Sequence, residues 1–275
     1  MRHRTYYKKT SGLKSRLILA AVICLSVVRQ SNLYAESVNL NVWQTISDDL
    51  EFFQYNPDKN SIISKEIYFF RTSLKKYAPK ALFQENFLNS SAKGICLKKD
   101  ASLCVNANFF DEFRKPLGLV ADSGKIAHPV HKGGSLLNGI LLLSSNKMQI
   151  IPRKNFSAER TTMAVQSGPL LLLNGKPYSK LKSPTKESRR AGVCIDHKDR
   201  LLIFCSASEY SGPSLSQLIS ILSLPAINCR DALNFDGGSS AQLYVNSKKL
   251  NLQKKMTEHL AGQSPVPVVF ALVNK

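Results

Sequence analysis

What this chain of 275 residues lacks narrows its chemistry first. It has no Cys-x-x-Cys pair and no group of histidines at zinc spacing, so a structural zinc site is not expected. Its five histidines form no pattern with any cysteine, which leaves a cysteine nucleophile without a base. Gly237-Gly238-Ser239-Ser240-Ala241 lacks the Gly-x-Ser-x-Gly spacing of a nucleophile elbow, and this argues against a serine hydrolase centred on Ser239. No long linker, internal repeat or low-complexity tract divides the chain, so one domain is expected.

Acidic residues are also scarce, 19 Asp and Glu against 38 Lys and Arg, and the first 35 residues contain none. Those residues carry seven basic side chains and an apolar stretch at 17–28, about 12 residues long. That length suits a signal peptide and falls short of the ~20 residues that span a bilayer. Residues 1–35 are therefore read as an export signal, with Leu33-Tyr34-Ala35 before the cleavage point and an uncleaved membrane anchor as the alternative. Residues 36–275 keep 31 Lys and Arg against 19 Asp and Glu, a formal charge of +12. Such a surface attracts anions: phosphorylated sugars, anionic glycans or an envelope surface, with nucleic acid not expected for an exported chain.

Beyond Cys24 five cysteines remain: Cys96, Cys104, Cys194, Cys205 and Cys229. An odd number leaves at least one thiol unpaired or bridged to another chain. Cys96 with Cys104, and Cys194 with Cys205, each flank a short connection and could face one another across hairpins, and export would permit such disulfides.

Strands dominate the pattern. Apolar runs at 136–143, 163–173, 191–195 and 201–205 read as buried strands, with Asp122-Ser123-Gly124, Ser144-Ser145-Asn146 and Asn174-Gly175 as turns. The run 266–273 closes the chain as a strand whose Pro265 and Pro267 favour an edge start. One helix is clear: Ser214 and Gln217 make a capping box before Leu215, Leu218, Ile219 and Leu222, and Pro225 ends it. Its N-terminus could hold an anion, although plain capping also explains the residues. The expected fold class is α+β, a single mixed, strand-rich domain with a few packed helices.

The segment most like a site is Asn234-Phe235-Asp236-Gly237-Gly238-Ser239-Ser240-Ala241-Gln242. Here two glycines allow a sharp turn after a strand that delivers one carboxylate. A simple Asp-Gly hairpin is the competing reading. Other blocks precede it in a fixed order: Asn106-Ala107-Asn108-Phe109-Phe110-Asp111, Pro116-Leu117-Gly118-Leu119, Ala164-Val165-Gln166-Ser167-Gly168-Pro169-Leu170, Arg189-Arg190-Ala191-Gly192-Val193-Cys194-Ile195-Asp196 and Ser211-Gly212-Pro213-Ser214-Leu215. Together these resemble the phosphodiester glycosidase family. The chain departs from the family pattern in having Ser239 where a third glycine is common, and two arginines, Arg189 and Arg190, where one is usual.

The resemblance implies hydrolysis of a sugar-1-phosphodiester between the anomeric carbon and the phosphate oxygen. Phosphate leaves as a stabilised anion, so the acid help that ordinary glycosidases need is less important. The greater needs are a cationic clamp and one carboxylate. On this reading Asp236 is base or nucleophile, Arg189 or Arg190 meets the phosphate, and Asp196 is a second carboxylate. Gly237, Gly238 and Ser239 supply backbone and hydroxyl donors. Asn108 and Gln242 orient sugar hydroxyls, Ser167 and Gly168 form an adjoining loop, and Asn234 contacts substrate. Asp196 and Asp111 also read as ordinary turn residues. A divalent ion would find only Asn234 and Asp236 as oxygen ligands, so no metal or other cofactor is expected. The alternative is an exported protein that grips an anionic glycan without cleaving it, since binding and catalysis share most contacts.

Overall fold

The computed structural model describes residues 42–57, 65–84, 90–178, 185–250 and 256–275. The expected export signal and Cys24 lie outside these residues. The described chain runs β1 (Gln44–Ser47), β2 (Leu50–Tyr55), β3 (Ile67–Thr72), β4 (Tyr77–Phe83), α1 (Ala92–Lys98), β5 (Leu103–Asn106), β6 (Val120–Asp122), β7 (Lys125–His128), β8 (Gly139–Ser144) and β9 (Lys147–Pro152). It continues with β10 (Thr161–Ser167), β11 (Leu170–Leu173), β12 (Lys176–Pro177), β13 (Ala191–Asp196), β14 (Leu201–Ser206), α2 (Leu215–Leu222), β15 (Cys229–Asn234), β16 (Leu243–Val245), β17 (His259–Leu260) and β18 (Val268–Asn274).

These strands form three antiparallel sheets. The largest has the order β1-β2-β3-β14-β13-β15-β11-β12, the second β7-β6-β10-β8-β9 and the third β17-β16-β5-β18-β4. The period-two rule explains why the central strands of the largest sheet read as unbroken apolar runs: both faces are covered. On β14, Leu201, Ile203 and Cys205 face a core that also contains Val105 and Phe270 of the third sheet and Leu141 and Val165 of the second. The alternate residues Leu202 and Phe204 face a layer made by Leu215, Leu218, Ile221 and Leu222 of α2. Ser214 and Gln217 cap α2 reciprocally, as expected. A third cluster packs Ala92, Ile95 and Cys96 of α1 on Cys104, Val269 and Ala271.

The strand-rich expectation holds, but the balance is more β than a mixed α+β class suggests, with two α-helices among the described residues. Helix α1 spans only seven residues and contains Gly94, so its apolar stripe of Ala92, Ile95 and Cys96 is too short to stand out in the sequence; its start signal is Ser91, whose Oγ accepts from the Gly94 N–H at 3.1 Å. The run 163–173 is two strands, β10 and β11, separated at Gly168-Pro169. The final strand is interior rather than edge: β18 lies between β5 and β4, and Pro265 and Pro267 precede it without interrupting a ladder.

The cysteine pairing differs as well. Cys194 is bonded to Cys229, with Cα atoms 5.9 Å apart, and Cys96, Cys104 and Cys205 are free and buried. Strand parity explains this. Cys205 sits opposite Ala191 and Cys194 opposite Leu202, so the two sulfurs point to opposite faces of the sheet. Cys229 reaches Cys194 from β15, the neighbouring strand on the other side. Cys96 lies on α1, so no hairpin aligns it with Cys104.

Candidate functional site

One strand end from each sheet contributes to the region around Asp236. From the third sheet β5 leads into Asn106, Ala107 and Asn108; from the second, β10 ends at Ser167 before Gly168; from the largest, β15 ends at Asn234 and runs into Asp236. Backbone hydrogen bonds fasten them. Asp236 N donates to Ala107 O at 3.0 Å, Asn234 N to Pro169 O at 3.1 Å, and Phe235 N to Ala191 O at 2.8 Å. Side chains reinforce the junction: Asn106 Nδ2 donates to Asp236 O at 2.7 Å, and Asn234 Nδ2 to Gly168 O at 3.0 Å.

Both glycines after Asp236 have a steric reason. A Cβ on Gly237 would lie 2.6 Å from Arg189 O, and Gly238 has φ +58°, in the left-handed region. Gly238 N donates to Arg189 O at 2.9 Å, so the glycine loop lies directly against the arginine pair. The short helical turn Gly238–Ser240 brings Ser240 back toward Asp236. The Asp236 carboxylate accepts from the Ser240 hydroxyl and the Gly237 N–H, yet burial outweighs both and pushes its pKa up to about 6.

Arg189 and Arg190 now separate. Arg190 Nε donates to Pro213 O at 3.0 Å and its Nη2 to Lys186 O at 2.7 Å, so it ties the approach to α2 to the start of β13. Arg189 is 5 % exposed, and its Nε has no hydrogen-bond partner. Its charge lies near the Cys205 thiol, which burial nevertheless pushes up to about 12, leaving that thiol inert. Asn108 Oδ1 and Asn234 Oδ1 are likewise buried without partners. Buried polar atoms are rarely left unsatisfied, and here three of them belong to residues from adjoining segments. The remaining described case, His259 Nε2, lies on β17 beside Tyr244.

Other expected residues have structural duties. Asp196 stands at the far end of β13 from Ala191, about 16 Å away at ~3.3 Å per residue. It accepts from the Lys198 and Arg200 N–H groups at 2.8 and 2.9 Å and pairs with the Arg200 guanidinium at 2.8 Å. It is the turn residue, not a second carboxylate of this site. Asp111 accepts from Lys115 N at 2.8 Å and closes a turn. Gln242 is 1 % exposed, accepts from Ala92 N at 2.6 Å and donates to Ser264 O at 3.0 Å and Ser240 O at 3.4 Å, so both amide hydrogens are committed and the side chain is closed off from a sugar. The Gly237 and Gly238 N–H groups are committed to Asp236 and Arg189, so neither is free as a phosphate donor. Ser239 is exposed and accepts from the Ser264 hydroxyl at 2.9 Å. Ser167 is fully buried, its Oγ 3.5 Å from Ala107 O.

Two residues were missed. Asn106, besides holding Asp236 O, accepts from Gln242 N at 3.0 Å; it lies two positions before Asn108, and that spacing was its signal. Ser240 was passed over for its neighbour Ser239. A cavity of about 540 Å³ bordered by Tyr77, Lys80, Asp122, Met163 and Asp199 lies at the Asp199 turn, the end of β13 opposite Asp236. Among the described residues no group of three or more His, Cys, Asp or Glu could hold a metal.

Comparison with known proteins gives a consistent picture. No curated protein sequence matches the chain. A zebrafish N-acetylglucosamine-1-phosphodiester alpha-N-acetylglucosaminidase catalytic domain, auto-inhibited by its pro-peptide, superposes with TM-score 0.61 at 15 % identity, covering 85 % of this chain and 88 % of that one. A Synechocystis protein described as hypothetical gives TM-score 0.56 at 13 % identity over 83 % of this chain; the chain spans only 63 % of that protein. At these identities the likeness is one of fold. The sequence profile of the phosphodiester glycosidase family matches residues 99–273, from the end of α1 through β18, and the chain belongs to that family.

Proposed function

We propose that this chain hydrolyses sugar-1-phosphodiesters at the bond between the anomeric carbon and oxygen. The observation that carries the reading is Arg189, a buried residue whose Nε has no partner and whose backbone carbonyl accepts from Gly238 N in the loop that presents Asp236. A buried guanidinium N–H left without an acceptor is costly, and a phosphodiester is an anionic acceptor of suitable geometry. In the proposed step water adds to the anomeric carbon and gives its proton to the Asp236 carboxylate. The phosphate monoester departs with the bonding electrons, its charge held by Arg189. With a pKa of about 6, Asp236 is mostly ionised at neutral pH and can take that proton. Asn108 Oδ1 and Asn234 Oδ1 are acceptors, which suits them to sugar hydroxyls. Arg190 acts by holding the Lys186 and Pro213 carbonyls.

One carboxylate is sufficient here because phosphate needs little protonation to leave, so the location of Asp196 does not weaken the scheme. Action outside the cytoplasm is part of the proposal; the Cys194–Cys229 disulfide supports it, since such bonds persist in oxidising compartments. No helix among the described residues is long and apolar enough to cross a membrane. The test is sugar release from a panel of sugar-1-phosphodiesters by the wild type, Asp236→Asn and Arg189→Ala. Release that falls about 100-fold or more in both variants supports the reading. Folded protein that releases nothing but still binds an anionic glycan is instead a binding protein.

A further inference from the structure

Gln166 stands one residue from the end of β10 and is fully buried, although its side chain is a polar amide. Every hydrogen-bonding position of that amide is used. Oε1 accepts from Leu119 N at 3.0 Å and from His131 N at 2.8 Å, while Nε2 donates to His131 O at 2.8 Å and to Leu137 O at 2.9 Å. Two accepted and two donated bonds are what an amide side chain can make, so the group fits in one orientation only. It ties the segments around Leu119 and from His131 to Leu137 to β10. Gly118 packs directly on it, and a Cβ there would lie 3.0 Å from the Gln166 Cβ and 3.1 Å from Oε1.

The carbonyls of this junction surround a second amide. Asn108 Nδ2 donates to Gln166 O at 3.0 Å and Leu119 O at 3.2 Å, and lies 3.4 Å from Gly118 O. An amide nitrogen caged by three acceptors cannot change places with its oxygen. Asn108 Oδ1 is thereby fixed on the other side, buried and without a partner among the described residues. The preceding carbonyl, Ala107 O, accepts from Asp236 N at 3.0 Å. A continuous path thus leads from Gln166 through Asn108 to the backbone of Asp236.

We propose that Gln166 is a positioning residue for the Asp236 site: by holding the carbonyl cage around Asn108 Nδ2 it makes Asn108 Oδ1 a fixed acceptor, which selects sugars that present a hydroxyl there. This inference rests on the proposed hydrolase function. Joining two loops to a strand does not require an amide, since apolar packing does so without burying polar groups. An amide adds direction. Without it the carbonyls of Gly118 and Leu119, two of the three around Asn108 Nδ2, are free to shift. The Asn108 amide can then rotate and offer Nδ2 in place of Oδ1, and the preference for a hydroxyl-bearing sugar is lost. A site with a fixed polar group strongly rejects analogues that leave that group unpaired.

The experiment is a double-mutant cycle with Gln166→Met and Asn108→Ala, singly and together, with thermal melts of every protein. The substrates are the methyl diester of N-acetylglucosamine-1-phosphate, or of whichever sugar the panel shows to be released, and its 3-, 4- and 6-deoxy analogues. The wild type is expected to lose about 100-fold or more in kcat/KM on one deoxy sugar. Gln166→Met should lower kcat/KM on the parent sugar about tenfold and shrink the deoxy penalty to about tenfold or less. Once residue 108 is alanine, the same substitution should change kcat/KM by less than about twofold. A lower Tm accompanies Gln166→Met in both backgrounds, so stability and selectivity separate. If Gln166→Met does not fold, Gly118→Ala, which crowds the same amide without deleting it, should show the coupling to Asn108 instead. Equal losses with and without Asn108, or no deoxy penalty in the wild type, overturn the proposal and leave the hydrolase reading intact. If the wild type hydrolyses no sugar-1-phosphodiester, that reading fails. The lock is then read from hydrogen exchange of the Asn108 side-chain NH2, assigned in nitrogen-15 spectra by its loss in Asn108→Ala. Faster exchange in Gln166→Met or Gly118→Ala supports the positioning role, and unchanged exchange overturns it.

Discussion

Replacing Asp236 by Asn should make the protein more stable above neutral pH, and the size of the gain follows from the site. The carboxyl has a pKa of about 6 in the folded chain against an ordinary 3.8, burial being the main cause. Between those values the folded state keeps a proton that the unfolded state sheds. Wild-type stability therefore falls as pH rises through that window, and the full penalty is present above pH 7. A shift of that size corresponds to about 3 kcal/mol. Asn cannot ionise and escapes the penalty, which is already net of the Ser240 and Gly237 hydrogen bonds, but fits a site shaped for a carboxyl less well at a pH-independent cost of roughly 1 kcal/mol. Asp236→Asn minus wild type should thus be near zero or slightly negative at pH 4 and reach about +2 kcal/mol at pH 8. In a chain of this size that is a Tm advantage of about 4–8 °C. Thermal unfolding of both proteins from pH 4 to 8 reads it. A Tm difference that is constant across pH, or that moves against the variant as pH rises, refutes the buried-carboxyl reasoning.

The same ionisation gives kcat/KM an acid limb near pH 6, rising with pH as Asp236 becomes a carboxylate, which a pH–rate profile checks. Arg189→Ala should lower kcat/KM about 100- to 1000-fold while leaving Tm close to that of the wild type, because the buried Nε makes no hydrogen bond for the substitution to remove. Arg190→Ala should instead lower Tm, through loss of the Lys186 and Pro213 contacts, with the smaller kinetic effect. Asp196→Ala should cost about 2 kcal/mol in denaturant unfolding by removing the acceptor of the Lys198 and Arg200 N–H groups and one of the two carboxylates beside the Arg200 guanidinium, and leave the kcat of the remaining folded protein unchanged. Breaking the Cys194–Cys229 bridge, which closes a separation of 35 residues, should cost about 4 kcal/mol by the same unfolding assay.

Local signals in the sequence were reliable where neighbours in the chain are neighbours in space. The capping box at Ser214 and Gln217, the 191–195 and 201–205 strands and the turn at Asn174-Gly175 all depend on contacts a few residues long. Signals failed where the strand order decides the outcome. Cys194 meets Cys229 because β15 returns beside β13 after α2, an arrangement that no spacing between cysteines encodes. The family resemblance made Gln242 and Asp196 candidate site residues, but their partners, Ala92 in one case and Arg200 in the other, occupy their polar atoms. Adjacent arginines could not be told apart in sequence. Arg190 is bonded to two carbonyls and Arg189 Nε to nothing described, a difference set by which side of the chain faces the loop before α2.

The most direct test of the proposed chemistry is hydrolysis of an N-acetylglucosamine-1-phosphodiester in water enriched in oxygen-18, followed by mass spectrometry of both products. Cleavage at the anomeric carbon, with Asp236 receiving the water proton, puts the label in the sugar and none in the phosphate, and Asp236→Asn abolishes the release. Label in the phosphate, or release that survives Asp236→Asn, contradicts the account.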